Sequence, residues 1–156
     1  AEKAGINKVV LISTTFGTQP PADPMAWQQT SPIPSESLYP MTKAGQELIG
    51  RHYAETKGFS VSVLRVGYIV DADEMQDKYG RVVGERAPLD CDRRDVGEVA
   101  RLCLERAKPG FDIFSVMSTR ESLSEWGVQK AVDELGWQPR YDFDRLPAPG
   151  DKGDDQ

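Results

Sequence analysis

The sequence predicts an α/β domain: a small parallel sheet of about three strands and three principal helices, arranged in three layers. Two observations carry that prediction. Apolar runs at Lys8–Ser13, Ser60–Val66 and Phe111–Met117 alternate with long helical patterns, at separations that suit crossovers rather than hairpins. The first run, Lys8-Val9-Val10-Leu11-Ile12-Ser13, is nearly continuous in apolar residues, as a strand buried on both faces requires. At 156 residues the chain is one domain with room for a full core.

Taken in order, Ala1–Gly5 reads as the closing turn of a helix with a glycine stop. Phe16–Glu36 holds five prolines without periodicity, a loop long enough to serve as a lid or to be disordered. Leu38–Lys57 is a helix with Pro40 in its first turn, where the missing N–H costs nothing, and Gly58 at its end. Leu48, Ile49, His52 and Tyr53 are its expected inner stripe.

Tyr68–Cys91 is charged and irregular, and reads as a second long loop. A helix follows from Asp92 or Asp95 to about Lys108, with Val96, Val99, Ala100, Leu102 and Cys103 inward and Pro109-Gly110 as its stop. Ser122 and Glu125 make a capping-box pattern for a helix that continues to Leu135 and ends at Gly136. Trp137, Pro139 and Tyr141 are expected to wrap back onto the body. After Asp144 the composition turns to Pro, Gly, Asp and Lys, which divides the chain into a domain over 1–144 and a solvated tail over 145–156.

Composition removes several classes of function. A net charge of -6 argues against nucleic acid or an anionic membrane as partner, since both favour a basic face. No run approaches a membrane span and the start lacks a signal peptide's apolar core, so the expectation is a cytoplasmic protein. Cys91 and Cys103 fit no metal-ligand spacing and read as buried thiols. His52 is the only histidine, which excludes a multi-histidine site and leaves it a packing or surface residue.

The chemistry centres on Ser37-Leu38-Tyr39-Pro40-Met41-Thr42-Lys43. Tyr39 and Lys43 stand one helical turn apart and leave the helix on the same face. The spacing alone is weak, because Tyr53 and Lys57 repeat it by chance at the far end of the same helix. Tyr39 differs through Ser13, Thr14 and Thr15 upstream, at the carboxyl end of a buried strand, where open α/β sheets place their sites. A phenol, with a pKa of about 10, is a base at neutral pH only if its anion is stabilised. An ammonium one turn away can do that, and a strand-end hydroxyl can orient a substrate oxygen.

These residues resemble a family. Val9-Val10-Leu11-Ile12-Ser13-Thr14-Thr15-Phe16-Gly17, Tyr39-Pro40-Met41-Thr42-Lys43, Leu64-Arg65-Val66-Gly67 and Leu135-Gly136-Trp137-Gln138-Pro139 are similar, in order, to motifs of the extended short-chain dehydrogenase/reductases. That family includes NAD-dependent nucleotide-sugar epimerases and dehydratases and uronate dehydrogenases. The resemblance spans about 1–145 and implies a Rossmann-like fold. It implies Tyr39 as acid/base, Lys43 as the cation that stabilises its anion and holds the nicotinamide ribose, and Thr14 as the hydroxyl that polarises the substrate. Ser13 and Thr15 become neighbours able to substitute for Thr14, and the backbone at Val66 and Tyr68 passes close to the nicotinamide. Arg81 or Arg86 faces a sugar acid or phosphate, or else is a solvated loop residue. The implied cofactor is NAD or NADP.

One departure qualifies that picture. The family's G-x-x-G-x-x-G loop and the acidic residue that follows it have no counterpart here; Gly80 and Gly84 have the wrong spacing. The expectation is a truncated Rossmann-like fold that lacks the first mononucleotide-binding half and, alone, any tight seat for the pyrophosphate. Strand Lys8–Ser13 then becomes an apolar edge through which the chain forms a homo-oligomer. Two functions remain open. One is the catalytic half of an NAD-dependent epimerase, dehydratase or dehydrogenase on a sugar or sugar acid, inactive as an isolated chain. The other is a non-catalytic oligomeric binding module derived from that family.

Overall fold

The structure, a computed structural model, describes residues 1–15, 38–84, 87–106, 108–140 and 143. The long proline-bearing loop, Arg86, Tyr141 and the tail expected beyond Asp144 lie outside the described residues. After a 3-10 turn at Glu2–Ala4 the order is β1 (Lys8–Thr14), α1 (Leu38–Lys57), β2 (Ser60–Val66), β3 (Tyr68–Asp71), β4 (Gln76–Asp77) and β5 (Asp90–Asp92). Then follow α2 (Arg93–Glu105), β6 (Gly110–Val116), α3 (Arg120–Glu125) and α4 (Gln129–Leu135).

The three expected strands form one parallel sheet, ordered β1-β2-β6. Lys8 pairs with Ser60 and Thr14 with Val66; Ser60 pairs in turn with Gly110 and Val66 with Val116. Strand β2 is central and hides both faces, as alternation of its side chains shows. Val61 and Val63 join Ala54, Phe59 and Ile113 under α1. Leu64 and Val66 join Phe114, Val116, Val96, Val99, Cys103 and Ala131 under α2 and α4, with Trp137 sealing the layer. Each fully buried Val or Leu contributes about 1.5–3 kcal/mol relative to exposure. Three layers result, helix on sheet on helix.

The expected stripe of α1 is wrong. Leu48 and Ile49 are 58% and 62% exposed, and His52 and Tyr53 also face outward. The buried positions are Glu47, Gly50 and Ala54. Small residues win because the helix lies close on the sheet: a Cβ on Gly50 would come within 2.6 Å of Leu11 Cδ1. Leucine at that spacing would hold the helix off.

The expected loop at 68–91 also holds structure. Strands β4-β3-β5 form a second sheet, β3 parallel to β5 and antiparallel to β4. Asp77 organises it, accepting from the Tyr68 hydroxyl at 2.7 Å, the Tyr79 and Arg81 N–H groups at 2.8 and 3.0 Å, and Arg81 Nε at 2.9 Å. Burial opposes its charge, but these donors outweigh burial and hold the Asp77 carboxyl well below the usual range. The bond to Asp77, followed by burial, pushes the Tyr68 phenol up.

The capping box at Ser122 is a third correction. The N-cap is Thr119, whose hydroxyl accepts from the Ser122 N–H, and the helix divides into α3 and α4 where Gly127 takes φ +68°. Asp92 caps α2 by accepting from the Arg94 N–H at 2.7 Å. Cys91 and Cys103 are free and buried, and burial pushes both thiols up. Among the described residues no helix is long and apolar enough to cross a membrane.

Candidate active site

Residues from β1, α1, β2 and β3 meet at the carboxyl end of the parallel sheet. Thr14, Tyr39, Lys43, Val66 and Tyr68 share the wall of one cavity of about 460 Å³, with Gly67, Lys78 and Tyr79. Every catalytic and cofactor-contacting position expected from sequence is therefore in one place. Tyr39 is half exposed in the first turn of α1, and Thr14 is the last residue of β1. Lys43 turns back toward the strand and donates from Nζ to the Ile12 carbonyl at 2.8 Å. Its ammonium also lies 5.8 Å from the centre of the Tyr39 ring. One bond thus ties the cation to the strand that carries Thr14.

A buried ion pair holds these elements in register. Glu47, one turn after Lys43, accepts from Arg65 Nε at 3.1 Å and Nη2 at 2.8 Å; both side chains are enclosed between α1 and the sheet. Ser13 donates to the same carboxylate at 2.5 Å. The three residues link the ends of β1 and β2 to α1. No sequence motif nominated Glu47; the signal available was a glutamate at the buried i, i+3 and i+7 spacing of Glu47, Gly50 and Ala54.

Ser13 is accordingly committed to Glu47 and Thr15 donates to the Val66 carbonyl at 3.3 Å, both in the protein interior. Neither is among the cavity-lining residues, unlike Thr14. Tyr68 gives its N–H to the Leu89 carbonyl at 2.8 Å, so it offers the cavity a wall and no spare amide donor. Arg81 is 68% exposed at its side chain, paired with Asp77 and stacked 4.8 Å over Tyr79. The cation that lines the cavity from this loop is Lys78 instead. Sequence reasoning passed it over because nothing periodic marks a two-residue strand.

No protein-family model matches the chain, and no curated protein matches it. Solved structures do. A mutated uronate dehydrogenase aligns with TM-score 0.61 at 20% identity, over 90% of this chain and 47% of that one. A dTDP-glucose 4,6-dehydratase double mutant from Streptomyces venezuelae, with NAD bound, aligns with TM-score 0.59 at 16% identity, over 92% and 58%. A UDP-N-acetylglucosamine 4-epimerase from Methanobrevibacter ruminantium, in complex with UDP-N-acetylmuramic acid, aligns with TM-score 0.56 at 15% identity, over 90% and 50%. The chain spans about half the length of these structures. By fold, the chain is a mixed α/β unit whose small parallel sheet and flanking helices match part of these Rossmann-like sugar-modifying enzymes.

Proposed function

We propose that the chain carries the proton-transfer side of an NAD-dependent site acting on a sugar or sugar acid, as in the extended short-chain dehydrogenase/reductases. The meeting of Thr14, Tyr39 and Lys43 in one cavity carries this reading. The Thr14 hydroxyl would hold the substrate oxygen, and the Tyr39 oxygen would take or return its proton. The Lys43 ammonium, fixed to the Ile12 carbonyl, would stabilise the phenolate. Lys78 gives the same cavity a cation suited to a carboxylate.

The residues fit the nicotinamide end of NAD or NADP: Lys43 could donate to the ribose, and Val66 and Tyr68 form a wall. The nicotinamide supplies hydride acceptance; this chain's residues supply the proton and the orientation. The pyrophosphate has no comparable seat, since the sequence holds no G-x-x-G-x-x-G loop. Dinucleotide affinity of ordinary strength would need that element from elsewhere.

A second reading rests on β1, which ends the sheet order and has no strand on its outer side among the described residues. The chain would pair with a second copy along that edge, as a binding module that need not catalyse. A monomer by light scattering at micromolar concentration would sink this reading.

Titration with NAD and NADP, read by thermal shift, tests the enzymatic one. Saturating cofactor should raise stability by a few kcal/mol where binding is specific, and no shift would refute autonomous cofactor binding. Where binding occurs, Tyr39→Phe should abolish turnover and leave binding intact; undiminished turnover would remove Tyr39 from its role.

A further inference from the structure

The cavity that holds Thr14, Tyr39 and Lys43 has a sign. Lys43 and Lys78 line it and no carboxylate stands among its described lining residues, although the whole chain carries a net charge of -6. Lys43 is tied to the Ile12 carbonyl, whereas Lys78 has only the Tyr79 ring beside it, 5.0 Å from Nζ to the ring centre, among the described residues. A lysine of that kind is a point charge on a flexible stem, so its worth to a ligand depends on what holds its backbone. The holder is Asp77, which is not itself a cavity-lining residue. Its Oδ1 accepts from the Tyr79 N–H at 2.8 Å and the Arg81 N–H at 3.0 Å. Its Oδ2 accepts from the Tyr68 hydroxyl at 2.7 Å and Arg81 Nε at 2.9 Å. The Asp77 N–H donates to the Arg81 carbonyl and the Gly80 N–H to the Asp77 carbonyl, both at 2.9 Å, which closes the turn at its base. Lys78 and Tyr79 are its tip.

One carboxylate thus braces three residues of the cavity wall: Tyr68 through its hydroxyl, Tyr79 through its amide, and Lys78 between Asp77 and Tyr79 in the chain. Arg81 supplies the countercharge for an Asp77 side chain that is only 2% exposed. We propose that Asp77 is a positioning residue of this site: by bracing Tyr68 and the Lys78–Tyr79 turn, it sets the Lys78 ammonium to receive an anionic group of the substrate, a carboxylate or a phosphate. The assignment deepens the proposed sugar or sugar-acid site and rests on that reading for the class of ligand. The sign of the effect separates positioning from charge. As a bare negative charge near the cavity, Asp77 repels an anion, and its removal would tighten binding. As a brace, its removal loosens the turn that carries Lys78, and binding weakens although the local charge has become more favourable.

The test titrates the full chain, without cofactor, with glucuronate, glucose 1-phosphate and glucose, followed by amide NMR shifts. Glucuronate or glucose 1-phosphate should move the amides of Tyr68, Lys78 and Tyr79, and the stronger of the two names the anion; glucose should leave them in place. Lys78→Gln should weaken the anion about tenfold. Asp77→Asn should weaken it severalfold, against the direction that loss of a negative charge dictates. Tyr68→Phe keeps the ring, changes no charge and removes one bond of the brace, so it should weaken the anion by a smaller factor. Anion affinity in Asp77→Asn equal to or above the parent's would overturn the assignment, as would an absence of anion-induced shifts at Lys78 and Tyr79 in the parent. If Asp77→Asn loses its amide dispersion, Tyr68→Phe decides by the same criterion. The proton-transfer reading fails on other measurements, the NAD thermal shift and Tyr39→Phe turnover, neither of which enters this titration.

Discussion

Arg65 grips Glu47 with two hydrogen bonds, Nε to Oε1 and Nη2 to Oε2, across the boundary between β2 and α1. Neither side chain reaches solvent to any useful extent. Removing one partner strands the other as a buried charge, which typically costs about 3–5 kcal/mol. Glu47→Ala should lose stability on that scale in urea unfolding. Replacing both residues together by apolar ones of similar volume should recover most of it. A Glu47→Ala loss below about 1 kcal/mol would show the pair to be dispensable.

The two glycines that touch the sheet should behave differently. A Cβ on Gly67 would lie 1.8 Å from the Leu89 carbonyl oxygen, a backbone atom that cannot step aside. On Gly50 it meets the end of the Leu11 side chain at 2.6 Å, which can rotate. Gly67→Ala should cost roughly 3 kcal/mol or more, beyond ordinary overpacking, and part β5 from β3. Gly50→Ala should cost no more than about 1–2 kcal/mol, because helix propensity returns about 1 kcal/mol. Paired urea titrations decide the order.

Much of the layout was readable from sequence, and the failures share a cause. The bounds of α1 and β2 follow from periodicity and a glycine stop, and Thr14, Tyr39 and Lys43 converge because a strand end and a helical turn have fixed geometry. Hydropathy misled on α1, where close packing selects Gly50 and Ala54 while Leu48 and Ile49 face out. It was silent on β3 and β4, which are too short to show a period, and so on Lys78 beside them. The Arg65–Glu47 pair was invisible because a charged side chain is buried only when its partner arrives from elsewhere in the chain.

Lys43 should separate stability from function. Its bond to the Ile12 carbonyl is a single contact on the exposed side of the protein. Lys43→Met should change unfolding free energy by no more than about 1–2 kcal/mol. Any cofactor-dependent thermal shift should shrink in the same variant, and turnover should fall with it. A shift equal to that of the parent chain would detach Lys43 from the cofactor.

Asp90 makes stability depend on pH with a definite sign. Burial, partly offset by the Ala87 N–H, raises its pKa in the folded state. The fold therefore binds the proton more tightly than the unfolded chain, and stability falls as pH rises from about 3.9 through the folded value. Asp90→Asn removes the charge and keeps an acceptor for Ala87. It should melt higher than the parent at pH 7, with the gap closing near pH 4, where the parent's Asp90 approaches neutrality in both states. Equal melting temperatures at pH 7 would contradict this.

The parallel sheet also sets a timescale. Lys8 finds Ser60, and Ser60 finds Gly110, so each pairing closes a loop of about fifty residues before any ladder bond forms. No hairpin in that sheet can nucleate it locally. The chain should assemble in milliseconds to seconds rather than microseconds. Until then Val9, Val10 and Leu11 remain uncovered, and the speed of crossover closure governs how long the newly made chain stays open to unwanted association.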